Sequence, residues 1–312
     1  MDGRSQRGVS SLAEDLVATD SHSFLELAEL AVRSIREVGI GSATHTAAQG
    51  AGVEHYWLLS FPNLPNRKVR PVNSHLFVSD VAELERMVGV FGEVFKDIHD
   101  GRAKNTAKAG WATFIGAGGI PRTLYTIQQG ISIGLDCFLP ENQSRKRAGQ
   151  YFEDLFSSLM DLLSVEQRRL NFRLPIPGIG DTTFNIEVDR VINTHGPVRS
   201  TPGRIDPTDI LVSLKTSSKD RYSKMLVDNM IAEKITERPM KLLAVFHNDV
   251  QRTLNDGVSV TFLAQQYLVY TQYLSRPSGV YYVDPPGHSL RQPWSSTIKP
   301  IEDLFLNDLW TL

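Results

Sequence analysis

One cysteine, Cys137, is all the chain has, and no Cys/His cluster stands at zinc-ligand spacing. A single thiol forms no intrachain disulfide, so neither a disulfide framework nor a structural zinc site is expected, and cytoplasmic residence fits that usage. Long apolar runs are missing too. A membrane helix needs roughly 20 apolar residues, and the longest candidate, VSVTFLAQQYLVYTQYL, is broken by Thr261, Gln265, Gln266 and Gln272. The opening MDGRSQRGVSSLAEDL lacks the apolar core of a secretory signal. No membrane association is therefore expected. Charge of one sign is not in excess: the formal net charge is −2, which gives no global pull toward polyanions. A nucleic-acid partner would have to meet positive charge gathered on one face. Candidate clusters are Arg67, Lys68 and Arg70; Arg145, Lys146 and Arg147; Arg168, Arg169 and Arg173; and the cations of 215–241. Alone, each triplet reads as solvated surface. Nucleotide-loop signatures are absent. The run GAGGIP (Gly116–Pro121) lacks the third glycine of G-x-G-x-x-G and a G-K-[ST], and Pro121 falls where a helix should be starting, so it reads as a flexible connection. The histidines show no H-x-H or H-E-x-x-H. No small-molecule organic cofactor is implied.

What is present begins with an ordinary globular balance: 41% hydrophobic and 22% charged over 312 residues. That suits one large domain or a core with an appended subdomain. After Ser23, Leu27, Leu30, Ala31 and Ile35 recur at helical spacing until Gly39 and Gly41. Ser79 precedes a second helix over 80–101. Residues 50–75 read as irregular or short extended pieces, broken by Pro62, Pro65 and Pro71, and 101–142 give no clear pattern. A third helix is expected at about 145–165, with Phe152, Leu155, Phe156, Leu159, Leu162 and Leu163 on its apolar face and Asn142 or Ser144 as its cap.

The character then changes. NFRLPI, TFNIEVDRVI and DILVSLK are strand-like; a helix starts at 216–219; KLLAVFHNDV and GVYYVDPP read as buried strands, 257–274 as a helix, and IEDLFLNDLWTL as a last helix. The order predicts an α/β fold with a mixed central sheet flanked by helices, preceded by a mainly helical region. We divide the chain at 1–140 and 141–312.

The chemistry concentrates in two strands. In ILVSLK, Ser213 and Lys215 share a face, because residues i and i+2 of a strand do. A lysine at the end of a buried strand is costly to desolvate and is kept for a partner or a task. One strand earlier, Asp189 closes an apolar run. If the two strands are neighbours, Asp189 and Lys215 meet at one sheet edge. An acid and an amine so placed suit phosphodiester hydrolysis, in which a hard cation wants carboxylate oxygens and an ammonium stabilises charge growing on phosphorus. Asp206 and Asp209 are rivals for the metal role, but they precede the lysine strand by too little to lie on its neighbour. Tyr222, Tyr281 and Tyr282 read as packing residues, and His247 as a hydrogen-bonded structural histidine.

Asp189, a gap, then Ser213-Leu-Lys215 resembles the PD-(D/E)XK nucleases. The following T-S-S-K-D-R-Y is similar to the CCGG-reading branch of type II restriction endonucleases, and within it to the group of the EcoRII catalytic domain, which carries a related S-K-T-x-x-K-D-R-W run. RAGQYFEDLF resembles a helix of that branch whose glutamate replaces the acid that Ser213 lacks. The likeness covers about 145–250. It implies a restriction-endonuclease-like core over 141–312 and leaves 1–140 to DNA contact or dimerisation. It implies Mg²⁺ as cofactor, with Asp189 and Glu153 as metal ligands and Lys215 orienting the attacking water. Asp228 is the other candidate for the second acid, standing where the family tends to have glutamate, and Ser213 is a non-ligand. Lys219, Asp220 and Arg221 would read bases, because a carboxylate accepts from the cytosine N4 amine and cations donate to guanine N7 and O6. The partner implied is double-stranded DNA with a CCGG- or CCNGG-type palindrome, cut by a homodimer to leave 5′-phosphate ends. A non-specific repair or recombination nuclease, and a DNA-binding protein with a dead nuclease core, are the alternatives.

Overall fold

Helical periodicity builds the first part of the chain. The computed structural model describes residues 11–18, 21–39, 42–45, 55–61, 64, 67–100, 109–219, 221–255 and 257–312. Residues 11–17 form α1, and α2 (Phe24–Val38) follows. Ser23 starts α2 with a reciprocal capping box: its hydroxyl accepts from the Glu26 N–H, and its own N–H donates to the Glu26 carboxylate at 2.7 Å, so two otherwise orphaned donors are satisfied. Helix α3 (Val81–His99) is capped by Asp80, which accepts from the Ala82 and Glu83 N–H groups, one residue beyond the expected Ser79. Asp80 is a strong acceptor with the extended backbone a cap needs.

The region without a clear pattern contains α4 (Ala109–Gly116) and α5 (Gly119–Phe138). The reading of GAGGIP as a flexible connection is corrected here, since it is a helix–helix junction. Gly118 takes φ 68°, and a Cβ on Gly119 would collide with the Phe114 ring. Pro121 falls in the first turn of α5, where its missing N–H leaves no bond unmade. Most of α5 is buried, polar side chains included. Those polar groups are matched locally: Gln128 donates to the Ala148 carbonyl and Gln129 to the Pro71 carbonyl, each at 2.9 Å.

Helix α6 (Glu141–Leu162) starts at Pro140 without a side-chain cap, so neither Asn142 nor Ser144 caps it. Ser144 is buried inside the helix and bonds Asp136 and Arg70 instead. Beside Asp136, Cys137 is buried. Burial and then the Asp136 charge push its thiol up to about 12. Native protein is therefore expected to leave Cys137 unalkylated by iodoacetamide at pH 8 over a time in which the urea-unfolded chain reacts completely. Stoichiometric native labelling, read by mass spectrometry, would contradict that burial.

Three short strands, β1 (Ser42–His45), β2 (Tyr56–Ser60) and β3 (Val72–Asn73), make a small antiparallel sheet. The chain divides into two compact units, Met1–Leu163 with Val250–Val260, and Ser164–Asp249 with Thr261–Leu312. Helix α6, grouped above with 141–312, thus lies in the first unit.

The second unit is built on a six-stranded sheet. It uses β4 (Glu166–Arg168), β7 (Arg190–Asn193), β8 (Ile210–Lys215), β9 (Lys241–Phe246), β12 (Gly279–Tyr282) and β13 (Ile298–Pro300), in the order β13-β12-β9-β8-β7-β4. The pairs β4/β7 and β7/β8 are antiparallel and the rest parallel. The central strands ILVSLK, KLLAVF and GVYY are almost wholly buried, as parallel strands covered on both faces must be. The expected strand over 183–192 splits: β5 (Asn171–Pro175) and β6 (Thr183–Glu187) pair as a separate hairpin, and the chain bends at Asp189 before β7.

Helix α7 (Tyr222–Thr236) makes the crossover from β8 to parallel β9. Only part of 257–274 is helical, α8 (Ala264–Tyr273). Ahead of it, β10 (Val250–Arg252) and β11 (Val258–Val260) form a hairpin closed by Thr253 and Gly257, with Val258 packed on Tyr56 and Leu58. The final segment is a short α9 (Ile301–Leu306) and a single tight turn at Asp308–Trp310. A mixed central sheet with flanking helices, after a mainly helical first part, is the fold expected from the sequence. Among the described residues no helix is long and apolar enough to cross a membrane.

Candidate active site

Strand β8 supplies the site. Its burial alternates at the end, with Val212 and Leu214 buried and Ser213 and Lys215 half-open, so the serine and the lysine share a face. Asp189 stands just ahead of β7 and is fastened to β8 by its own N–H, which donates to the Val212 carbonyl at 3.1 Å. From there its carboxylate reaches the same face. The Lys215 ammonium donates to Asp189 Oδ2 at 2.5 Å, the Leu214 N–H to the same oxygen at 2.7 Å, and the Ser213 hydroxyl lies 3.5 Å away.

All three contacts fall on Oδ2. Among the described residues Oδ1 takes none, so the carboxylate is held by one oxygen and offers the other. The pair is partly open, with the Lys215 side chain 32% exposed and that of Asp189 16%. Solvent can therefore reach it. Asp189, Ser213 and Lys215 are thus brought together by the antiparallel pairing of β7 with β8.

The remaining candidates lie as follows. Asp228 is half-buried on α7, and burial raises its pKa, with Lys224 opposing and Glu187 adding to the rise. Glu153 lies half-buried on α6 in the first unit, its main-chain carbonyl accepting from the Ser157 hydroxyl at 2.9 Å. Asp220 falls outside the described residues. Arg221 is exposed at the start of α7, its N–H donating to the Ser218 carbonyl at 3.1 Å, and the Lys219 N–H donates to the Ser217 hydroxyl at 3.2 Å.

The rivals Asp206 and Asp209 are occupied in building a loop. Asp209 accepts from Asn193, Arg199 and Ser200, and Asp206 from Thr208 and Arg204. His247 is buried and its Nδ1 pairs with the Asn248 amide at 3.1 Å.

Among the described residues there is no group of three or more His, Cys, Asp or Glu placed to hold a metal. An ion caged wholly by protein therefore does not fit. Mg²⁺ is bound typically through one or two carboxylates with several waters kept, and Asp189, with one oxygen committed and one open, fits that mode.

Sequence reasoning missed one acid, Asp249, which is 1% exposed at the end of the buried run after β9. Its carboxylate accepts from the Ser218 N–H at 2.7 Å, the Ser218 hydroxyl at 2.6 Å, the Ser217 hydroxyl at 3.1 Å, the Tyr282 hydroxyl at 2.7 Å and the Thr261 hydroxyl at 3.5 Å. Burial raises its pKa, opposed by these bonds. The signal was available: an acid closing an apolar strand, the same pattern that singled out Asp189.

No family model matches the chain, and no curated protein matches it in sequence. Solved structures do match. The crystal structure of the type IIP restriction endonuclease Kpn2I aligns over 99% of this chain and 97% of its own, with a TM-score of 0.69 at 16% identity. A complex of the restriction endonuclease PspGI with substrate DNA aligns over 60% of this chain and 80% of its own, with a TM-score of 0.41 at 14% identity, too slight a likeness to bear on the fold. By the first of these, the chain has a restriction-endonuclease fold.

Proposed function

We propose that the protein is a sequence-specific DNA endonuclease that hydrolyses double-stranded DNA with Mg²⁺ at a CCGG- or CCNGG-type palindrome. The observation that carries this reading is the Asp189–Lys215 pair, an acid and an amine 2.5 Å apart at a partly open sheet edge, in a chain with the fold of a type IIP restriction endonuclease.

Asp189 would hold the ion through its open oxygen, with Glu153 or Asp228 as the second acid and Ser213 as a non-ligand. Bound there, Mg²⁺ would supply polarisation of a phosphoryl oxygen and acidification of a coordinated water. The chain's own groups do the rest. Leu214 N–H and Lys215 Nζ fix the Asp189 carboxylate. The Lys215 ammonium orients the nucleophilic water by hydrogen bonding to its oxygen, and it donates a hydrogen bond to a non-bridging phosphate oxygen as charge builds there. The oxygen of the water attacks phosphorus in line and gives up a proton to bulk solvent, the bond to the 3′ oxygen breaks, and that oxygen takes up a proton from solvent. The products are a 5′-phosphate and a 3′-hydroxyl.

Lys219, Asp220 and Arg221 follow the lysine strand in the sequence and supply the donors and acceptor that C:G pairs demand. A palindromic target calls for a two-fold symmetric reader, hence a homodimer.

A plasmid digest with mapped ends tests the reading. With Mg²⁺, discrete fragments ending at one palindrome are expected. A smear would favour a nuclease without sequence preference, and an uncut plasmid that the protein nevertheless retards on a gel would favour a DNA-binding protein without catalysis.

A further inference from the structure

Among the described residues Asp249 shares no hydrogen bond or ion pair with Asp189 or Lys215, yet it accepts five hydrogen bonds. The five donors it accepts come from three places: the turn after β8 (Ser217 and Ser218), the strand β12 (Tyr282) and the segment leading into α8 (Thr261). The main chain is tied at the same point, because the Thr261 N–H donates to the Asp249 carbonyl at 2.7 Å. Ser218 is the link to the base-reading segment. Asp249 holds it by both N–H and hydroxyl, and its carbonyl accepts from the N–H groups of Arg221 and Tyr222 at 3.1 and 3.2 Å, which opens α7. Fixing Ser218 therefore fixes where α7 begins and where residues 219–221 start.

Burying a carboxylate is costly. An apolar side chain at this strand end would avoid that cost but could hold neither the serines nor the turn. A fully satisfied buried polar cluster confines its members to one arrangement.

We propose that Asp249 is a positioning residue for sequence discrimination: through Ser218 its carboxylate sets the placement of Lys219 and Arg221, so selectivity among target sequences depends on a buried acid that meets no base. The inference rests on the function proposed above. Asp249→Asn tests it, because an amide NH₂ would face the Ser218 and Tyr282 donors where a carboxylate oxygen had accepted from them.

The assay compares kcat/KM on a duplex carrying the mapped site with kcat/KM on duplexes bearing one substituted base pair. Wild type, Asp249→Asn, Tyr282→Phe and Arg221→Ala are run together, with the thermal midpoint of each. Asp249→Asn is expected to lower the cognate-to-substituted ratio about tenfold, the scale of one lost base contact, in the direction of Arg221→Ala. Tyr282→Phe, which removes a single donor, is expected to lower it less. A purely structural role would instead lower the midpoint and reduce both rates by one factor, leaving the ratio unchanged, and that result overturns the inference. Should Asp249→Asn not fold, Tyr282→Phe and Ser218→Ala decide on the same ratio, and an unchanged ratio in both overturns it. A wild-type protein that cuts every duplex alike overturns the proposed function and this inference with it. Discrimination in the wild type with an unaltered ratio in Asp249→Asn overturns the inference alone.

Discussion

Lys215→Ala is expected to slow Mg²⁺-supported cleavage of duplex DNA by about 10²–10⁴-fold, the range for removing one positioned proton donor or charge stabiliser, while duplex binding stays measurable by fluorescence anisotropy. The lysine has two tasks in the proposed chemistry. It neutralises the Asp189 oxygen that it meets at 2.5 Å, and it brings donor protons to the phosphate. Alanine removes both, but Asp189 keeps the Leu214 N–H at 2.7 Å, so the acid is not released from the sheet edge. Lys215→Met separates charge from packing, because it restores most of the apolar stem without the ammonium. The methionine variant is expected to be as slow as the alanine one. Cleavage at the wild-type rate by either variant would falsify the site assignment.

Asp136→Ala is expected to destabilise the first unit by about 3 kcal/mol, the low end of what breaking a buried ion pair costs, since Arg70 keeps some exposure. The carboxylate accepts from the Arg70 N–H at 3.0 Å, from its Nε at 2.8 Å and from its Nη2 at 2.7 Å, as well as from the Ser144 hydroxyl. Burial opposes charge on both partners, yet pairing prevails: the Asp136 carboxyl is held below its usual 3.8 and the Arg70 guanidinium is raised. Truncation leaves that guanidinium, three donors and a buried serine without their acceptor.

The sign of the pH effect follows. A carboxyl lowered in the folded state contributes stability that is complete above the unfolded value and is lost as pH falls through the folded one. The gap between wild type and Asp136→Ala, measured by urea unfolding, should be full at neutral pH and shrink below about pH 3.8. A neutral-pH difference under about 1 kcal/mol would place the pair in the class of weak surface bridges.

Much of the fold was readable because periodicity is a local property. Helices α2 and α3 show apolar residues at helical spacing, and β8, β9 and β12 are short apolar runs bounded by turns. Helix α5 was not singled out, and its buried Thr and Gln residues are explained only by the partners they find in space. The 250–260 hairpin was missed for a related reason. Val258–Val260 is too short to separate a strand from a helix by pattern, and its apolar side packs on Tyr56 and Leu58, far away in sequence.

The candidate site divides along the same line. Residue type and spacing along the chain determined that Ser213 and Lys215 share one face of a strand and that an acid closes the run before it, since alternation needs nothing beyond the backbone. Tertiary structure alone decided that Asp189 bends off ahead of β7 to place one oxygen on Lys215 and leave the other open, and that Asp249 gathers the turn before α7. Which strands become neighbours, and at what register, depends on how the whole sheet is covered, and no local stretch of sequence encodes that.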